Sequence, residues 1–284
     1  MLTQSKVAAA PRVIRLRRSE FFALLAILGC ANGLFARALL TVNEHGWSDA
    51  ILGTFGISAI VWISCFVGIS ELLDQESEVV ESPRSIDWVI GAGFLILIIL
   101  PIGHFSWLAV AGLCLYILMF ANDAPSRRRG ALILLATTVP MLWSRVLFNL
   151  FANVLLELDA SVVSWLLGTS RTGNMVRFAN DDGYLVVLPA CSSVANMSIA
   201  FLCWITMSVW VRHRWSPRDL LWGFLACASV VAVNVIRLSV MGLNEEIFKI
   251  VHGPWGEMAA NFAMLAFAVG FSAWGVRREL LSRI

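Results

Sequence analysis

Leu220-Leu221-Trp222-Gly223-Phe224-Leu225-Ala226-Cys227-Ala228-Ser229-Val230-Val231-Ala232-Val233-Asn234-Val235-Ile236-Arg237-Leu238 carries Arg237 as its only charge and is bounded by Asp219 and Gly242. A bilayer crossing by an α-helix takes about 20 predominantly apolar residues, so residues 219–242 read as a transmembrane helix. Working outward, apolar runs broken by charge, Gly and Pro recur near 20–42, 50–73, 88–103, 105–120, 130–150, 191–211 and 257–276. Together they predict an all-α polytopic membrane protein of about eight transmembrane helices with short loops. The third and fourth runs are short and joined only by Gly103-His104-Phe105, which fits either a tight hairpin or two partial spans.

Composition points the same way. Of 284 residues, 59% are hydrophobic and 14% charged, and the mean hydropathy is +0.79. That is too much apolar surface for a water-soluble fold, which excludes a soluble enzyme, a DNA-binding module and a disordered chain. A net charge of +2 is too small to imply a nucleic-acid partner; its placement matters more. Lys6, Arg12, Arg15, Arg17 and Arg18 precede the first run, which is too long for a secretory signal and lacks a small-x-small cleavage site. It reads as a retained first helix. With that end in the cytoplasm, alternation places Arg127-Arg128-Arg129, then Arg212, Arg214 and Arg218, then Arg277, Arg278 and Arg283 on the same side, as the positive-inside rule expects. Segments 43–49, 151–190 and 243–256 fall outside the cytoplasm, with Arg171, Arg177 and Lys249 as their only Lys or Arg. The loop Asp74-Gln75-Glu76-Ser77-Glu78 is then cytoplasmic, and acidic residues weigh little in the rule. Trp47, Trp88, Trp107, Trp165, Trp210, Trp215 and Trp255 fall at predicted span ends, where interfacial anchors belong.

One stretch is neither apolar span nor tight loop. From about Leu150 to Leu167 the sequence reads as an amphipathic helix lying at the outer surface. Two short β-prone runs follow around Asp182-Gly183, a hairpin-like excursion that delivers the chain to Cys191.

Few polar residues here are suited to chemistry. Cys30, Cys65, Cys114, Cys203 and Cys227 lie inside apolar runs, where a thiol is a small hydrophobe. Cys191 differs: it follows Pro189 and stands beside Ser192 and Ser193 at the expected start of a helix, where free backbone N–H groups favour a thiolate. His213 falls in a cytoplasmic basic loop, whereas His45, His104 and His252 are all predicted on the outer side and any of them would serve as base. No pair of these residues has metal-ligand spacing, so no metal site is expected. Arginine inside a span is costly and by default functional. Arg237 sits about five residues below the outer end of its span, level with Cys191, and Asn234, Arg237, Met241 and Asn244 share one helix face. Arg145, Asn149, Asn153 and Glu157 recur every fourth residue, a second polar stripe that either lines a substrate groove or ties Arg145 to a carbonyl or lipid phosphate. Arg37 is a weaker case of the same kind.

Val187-Leu188-Pro189-Ala190-Cys191-Ser192-Ser193, Asn234-Val235-Ile236-Arg237-Leu238 and His252-Gly253-Pro254-Trp255-Gly256, in that order and before a last span, resemble the exosortase/archaeosortase family of polytopic cysteine transpeptidase-proteases. The resemblance covers roughly residues 130–276. It implies an N-terminal four-helix membrane region over 1–129 and a catalytic membrane region over 130–284, with Cys191 as nucleophile, Arg237 as the oxyanion or carbonyl partner and His252 as proton carrier. Arg145, Asn149, Asn234 and Ser192 are the expected substrate contacts. No cofactor is implied. The implied partners are secreted proteins ending in a C-terminal sorting tail, made of a short motif, one transmembrane helix and a basic end, together with membrane lipid. The implied location is the bacterial or archaeal cytoplasmic membrane, with both termini inside and the site outside. The chain departs from the family pattern where a Gly and a second Arg usually follow the Cys, because Ser193 and Ala195 stand there.

Two other classes stay open. A transferase acting on lipid-linked substrates in exopolysaccharide or envelope biogenesis would be expected to need a carboxylate pair or a metal at the outer leaflet, and Asp181-Asp182 is better explained as a turn before Gly183. A transporter would need broken helices or charges at the midplane, which here is nearly all apolar.

Overall fold

The computed structural model describes residues 16–74, 81–100, 103–121, 123–214 and 216–282. Lys6, Arg12, Arg15, residues 75–78 of the acidic loop, Trp215 and Arg283 lie outside them, as does the side chain of His45.

The chain runs through α1 (Arg18–Leu52), kinked at Gly46, then α2 (Ala59–Leu73), α3 (Ser85–Ile99) and α4 (Gly103–Phe120). Next come α5 (Pro125–Thr138), a π-helical segment (Val139–Trp143) and α6 (Ser144–Leu167). Three short strands follow: β1 (Arg171–Thr172), β2 (Met175–Arg177) and β3 (Tyr184–Val186). A 3-10 turn (Pro189–Cys191) leads into α7 (Ser193–Trp210), α8 (Pro217–Met241), α9 (Glu245–His252), α10 (Pro254–Gly275) and the short α11 (Arg277–Leu281).

Six helical stretches are long and apolar enough to cross a membrane: Arg18–Glu44, Gly103–Phe120, Pro125–Leu167, Ser193–Trp210, Pro217–Met241 and Pro254–Gly275. By helix length and hydropathy the chain is a multi-pass membrane protein. The other two expected spans are the 15-residue helices α2 and α3. At 1.5 Å per residue each rises about 22 Å, short of a hydrocarbon core about 30 Å thick. The reason is local. Residues 50–58, expected to open the second span, instead close α1 and form a 3-10 turn, and α3 stops just before Pro101, which disfavours a helical residue ahead of it.

The expected helix over 150–167 is present but is not a separate element. It continues α5 through the π segment into a single 43-residue helical stretch. Pro140 lacks an N–H and crowds the preceding turn, and the widened π segment absorbs it without ending the helix. No Gly or Pro occurs again until Gly168, which caps α6 in the left-handed conformation at φ 67°. The helix bends at Phe151, whose φ/ψ of −124°/19° is not helical.

Most charged groups gather at one end of the bundle. Arg18, 1% exposed, clasps Asp87, 0% exposed, through two bonds of 2.7 and 3.0 Å. Asp87 also accepts from the Tyr116 hydroxyl at 2.6 Å and the Arg84 N–H at 2.7 Å, and Arg18 reaches Asp123 at 3.1 Å. These contacts bring together the start of α1, the start of α3, the end of α4 and the loop before α5. At the same end Arg129 pairs with Glu71 at 2.7 Å, joining α5 to α2. Close to that bridge Gly130 lets the helices touch, since a Cβ there would lie 2.6 Å from the Gly68 carbonyl oxygen. His213, in the α7–α8 connection, faces Asp219 at 2.9 Å and Glu279 of α11 at 2.7 Å. Deeper in the bundle, Ser64 and Thr206 bond at 2.8 Å and join α2 to α7.

The opposite end is lined by the sheet and α9. β1 and β2 pair with Arg171 opposite Val176, and β2 and β3 with Val176 opposite Leu185. The expected hairpin at 182–183 is therefore the second turn of a three-stranded meander. Trp107 is corrected as an interfacial anchor: it is buried against Gly33 of α1, whereas Trp47, Trp88, Trp165, Trp210 and Trp255 are exposed.

Candidate functional site

Val176, Phe178, Leu185 and Val187 from the sheet region turn inward and pack with Leu156, Ala160 and Val163 of α6 and with Val235, Leu238 and Met241 of α8. Cys191 belongs to this apolar cluster, so the excursion does deliver the chain to the thiol. The α9 helix, read from sequence only as part of an outer loop, packs Phe248 and Val251 against the same cluster. Its signal was present: Asn244 accepts from the Ile247 N–H at 2.8 Å as N-cap, with Glu245 and Glu246 in the first turn and Lys249 and His252 in the last.

Cys191 does not open a helix as expected. It ends the 3-10 turn, Ser192 caps α7 by accepting from the Val194 N–H, and α7 starts at Ser193. The first helical N–H is already taken: Asp159 of α6 accepts from the Ser193 backbone N–H at 3.1 Å and from its hydroxyl at 2.9 Å. A buried carboxylate thus occupies the helix N-terminus in place of the thiol. Exposure does not single out Cys191 either, since it and Cys203 are both 6% exposed.

Asn234 joins these parts. Its amide donates to the Cys191 carbonyl at 2.7 Å and to the Ser193 hydroxyl at 3.1 Å. Among the described residues its buried Oδ1 has no hydrogen-bond partner, nor has Nε of Arg237 one helical turn further on. An unmet acceptor and an unmet cationic donor therefore stand on one face of α8 beside the Cys191 segment. His252 is exposed and stacks on Phe248, with ring centroids 5.1 Å apart. Among the described residues, neither Arg237 nor His252 makes a hydrogen bond or ion pair with Cys191.

Arg145, Asn149 and Ser192 come together elsewhere. With His104 and Ala195 they line a cavity of about 250 Å³ on which Cys191 does not border. The expected substrate contacts thus divide: Asn234 lies with the cysteine and the other three across the 189–195 segment from it. Of the second polar stripe only Arg145 is half-buried; Asn149 borders the cavity but is already exposed. Past the bend at Phe151 its members Asn153 and Glu157 are exposed, and Glu157 lies 4.0 Å from Arg171. Asp181 pairs with Arg177 at 3.2 Å, and Asn180 accepts from the Asp182 N–H, as befits a turn.

Sequence reading missed Asp159. Among the described residues no group of three or more His, Cys, Asp or Glu is placed to hold a metal ion.

The fold and this site define a multi-pass membrane protein with a buried cysteine held between three helices near one end of the bundle. Compared with known proteins, the chain matches no family model, no curated protein and no solved structure.

Proposed function

We propose that this protein is a membrane-embedded cysteine protease or transpeptidase, similar to exosortases, that cuts C-terminal sorting tails from secreted proteins at the extracytoplasmic face. One observation carries the reading. The Asn234 bond to the Cys191 carbonyl ties the nucleophile's own backbone to α8 one turn from Arg237, at the end of the bundle opposite the charged one. In this reading the basic end is cytoplasmic, by the positive-inside rule, and α2 and α3 complete eight crossings.

The chemistry follows from the residue types. His252 takes the Cys191 proton, and the thiolate adds to the scissile carbonyl. Arg237 stabilises the oxyanion with its otherwise unmet Nε–H. The C–N bond then breaks, the leaving amine takes the proton from His252, and a thioester remains for water or an amine to resolve. Asn234 Oδ1 is free to accept a substrate N–H. The apolar surroundings of Cys191 suit a scissile bond held near the bilayer by a tail helix.

His104 has its own support as base, because it shares a cavity with Ser192, whereas His252 stacks outward on Phe248. The test compares both. Wild-type protein expressed in a deletion strain of the source organism should convert tailed precursors to shorter products. Cys191→Ala, Arg237→Ala, Arg237→Lys and His252→Ala should leave the precursors intact while inserting normally, and His104→Ala should process them. Processing by Cys191→Ala would overturn the peptidase reading; loss in His104→Ala with activity in His252→Ala would move the base to α4.

A further inference from the structure

Between α6 and α7 lies an apolar groove of about 540 Å³, walled by Val139, Leu147, Leu150, Met197 and Phe201. It meets the polar cavity at Ser144 and Val194, which line both. The polar side of that junction is cationic. Arg145, half-buried, borders the cavity, and Arg37 of α1 is near enough to repel it electrostatically. Among the described residues neither arginine makes an ion pair. A half-buried guanidinium that borders a cavity and has no carboxylate partner among the described residues calls for an anion from outside the chain.

We infer that groove and cavity form one site for an anionic phospholipid, its phosphate on Arg145 with His104, Asn149 and Ser192 as further polar contacts, and an acyl chain along the groove. Charge complementarity selects the head and volume selects the tail. The groove's volume lies within the ordinary range for a small-molecule site, roughly 300–1,000 Å³. The site invokes neither Cys191 nor His252, but it assigns to lipid the expected substrate contacts Arg145, Asn149 and Ser192 and the alternative base His104; lipid retention is read without any processing assay, so the two readings fail separately.

The experiment uses the full chain in detergent, with bound lipid counted by native mass spectrometry after adding phosphatidylglycerol or phosphatidylcholine. Wild type should retain phosphatidylglycerol at least tenfold better. Arg145→Gln should lose that preference while unfolding at the wild-type temperature, and Arg145→Lys should recover part of it. Leu147→Trp, which fills a half-exposed part of the groove, should lower phosphatidylglycerol retention by a similar factor with Arg145 intact. Equal retention of the two lipids by wild type, or unchanged preference in Arg145→Gln, would overturn the site. Should Arg145→Gln fail to fold, unchanged retention by Leu147→Trp would do so. Displacement of the lipid by inorganic phosphate alone would reduce it to an anion site without a tail, and stoichiometric displacement by a synthetic apolar helical peptide would give the groove to a peptide tail; either result ends the proposal.

Discussion

Asp159 holds the Ser193 N–H and hydroxyl with its two oxygens, and Ser193 in turn accepts from Asn234, so one carboxylate fixes the segment that carries Cys191. Removing it strands a buried N–H and hydroxyl, and each unsatisfied group costs about 1–3 kcal/mol. Asp159→Ala should therefore lower the thermal unfolding temperature in detergent clearly more than Asp159→Asn, which keeps an acceptor for the N–H. Equal losses would mean that the carboxylate is not what holds Ser193. The residue escaped sequence reading for a physical reason: in a stretch read as an interfacial helix an acid needs no explanation, whereas a buried one does. Cys191, Asn234 and Arg237 were legible because each interrupts an apolar run or follows a Pro at its edge. The separation of Arg145, Asn149 and Ser192 from the thiol was not, since it depends on which side of the 189–195 segment each side chain leaves the backbone.

At the scale of elements, α7, α8 and α11 are joined at their basic end through His213. Burial disfavours its charge, but the hydrogen bonds and negative charges of Asp219 and Glu279 outweigh that and raise its pKa above the ordinary value. A pKa raised on folding adds stability that is complete below the unfolded value, about 6.5, and is lost as pH rises through the folded value. The unfolding-temperature advantage of wild type over His213→Gln should thus be largest below about pH 6.5 and shrink as the pH is raised. A gap that widened with pH would show that the imidazole is held neutral. Spans such as α8 and α10 were plain in the sequence because each is one long apolar run with Pro at its start. A helix boundary was expected at 150, inside α6, because Arg145 and Asn149 look like a membrane boundary, although no Gly or Pro stands between Pro140 and Gly168. The short α9 was missed because eight residues give too few repeats of the helical period to separate it from a loop.

For the whole molecule, the expected orientation becomes a measurement. Residues 127–129, 212–214 and 216–218 belong to the end tied by Arg18, Asp87 and His213, and residues 171–185 to the opposite one. In a cysteine-free background, a membrane-impermeant maleimide applied to intact cells should label Asp182→Cys and spare Arg128→Cys and Arg214→Cys. Labelling of Asp182→Cys and Arg214→Cys alike would undo the arrangement. The two ends are also built differently. One is fastened by buried guanidinium–carboxylate bonds that lose several kcal/mol if a partner is removed; the other is closed by short strands, a two-turn helix, the Asp159 bonds to Ser193 and exposed ion pairs such as Arg177–Asp181. Parting the helices at the end that carries the sheet therefore breaks fewer buried ion pairs than parting them at the end tied by Arg18 and Asp87.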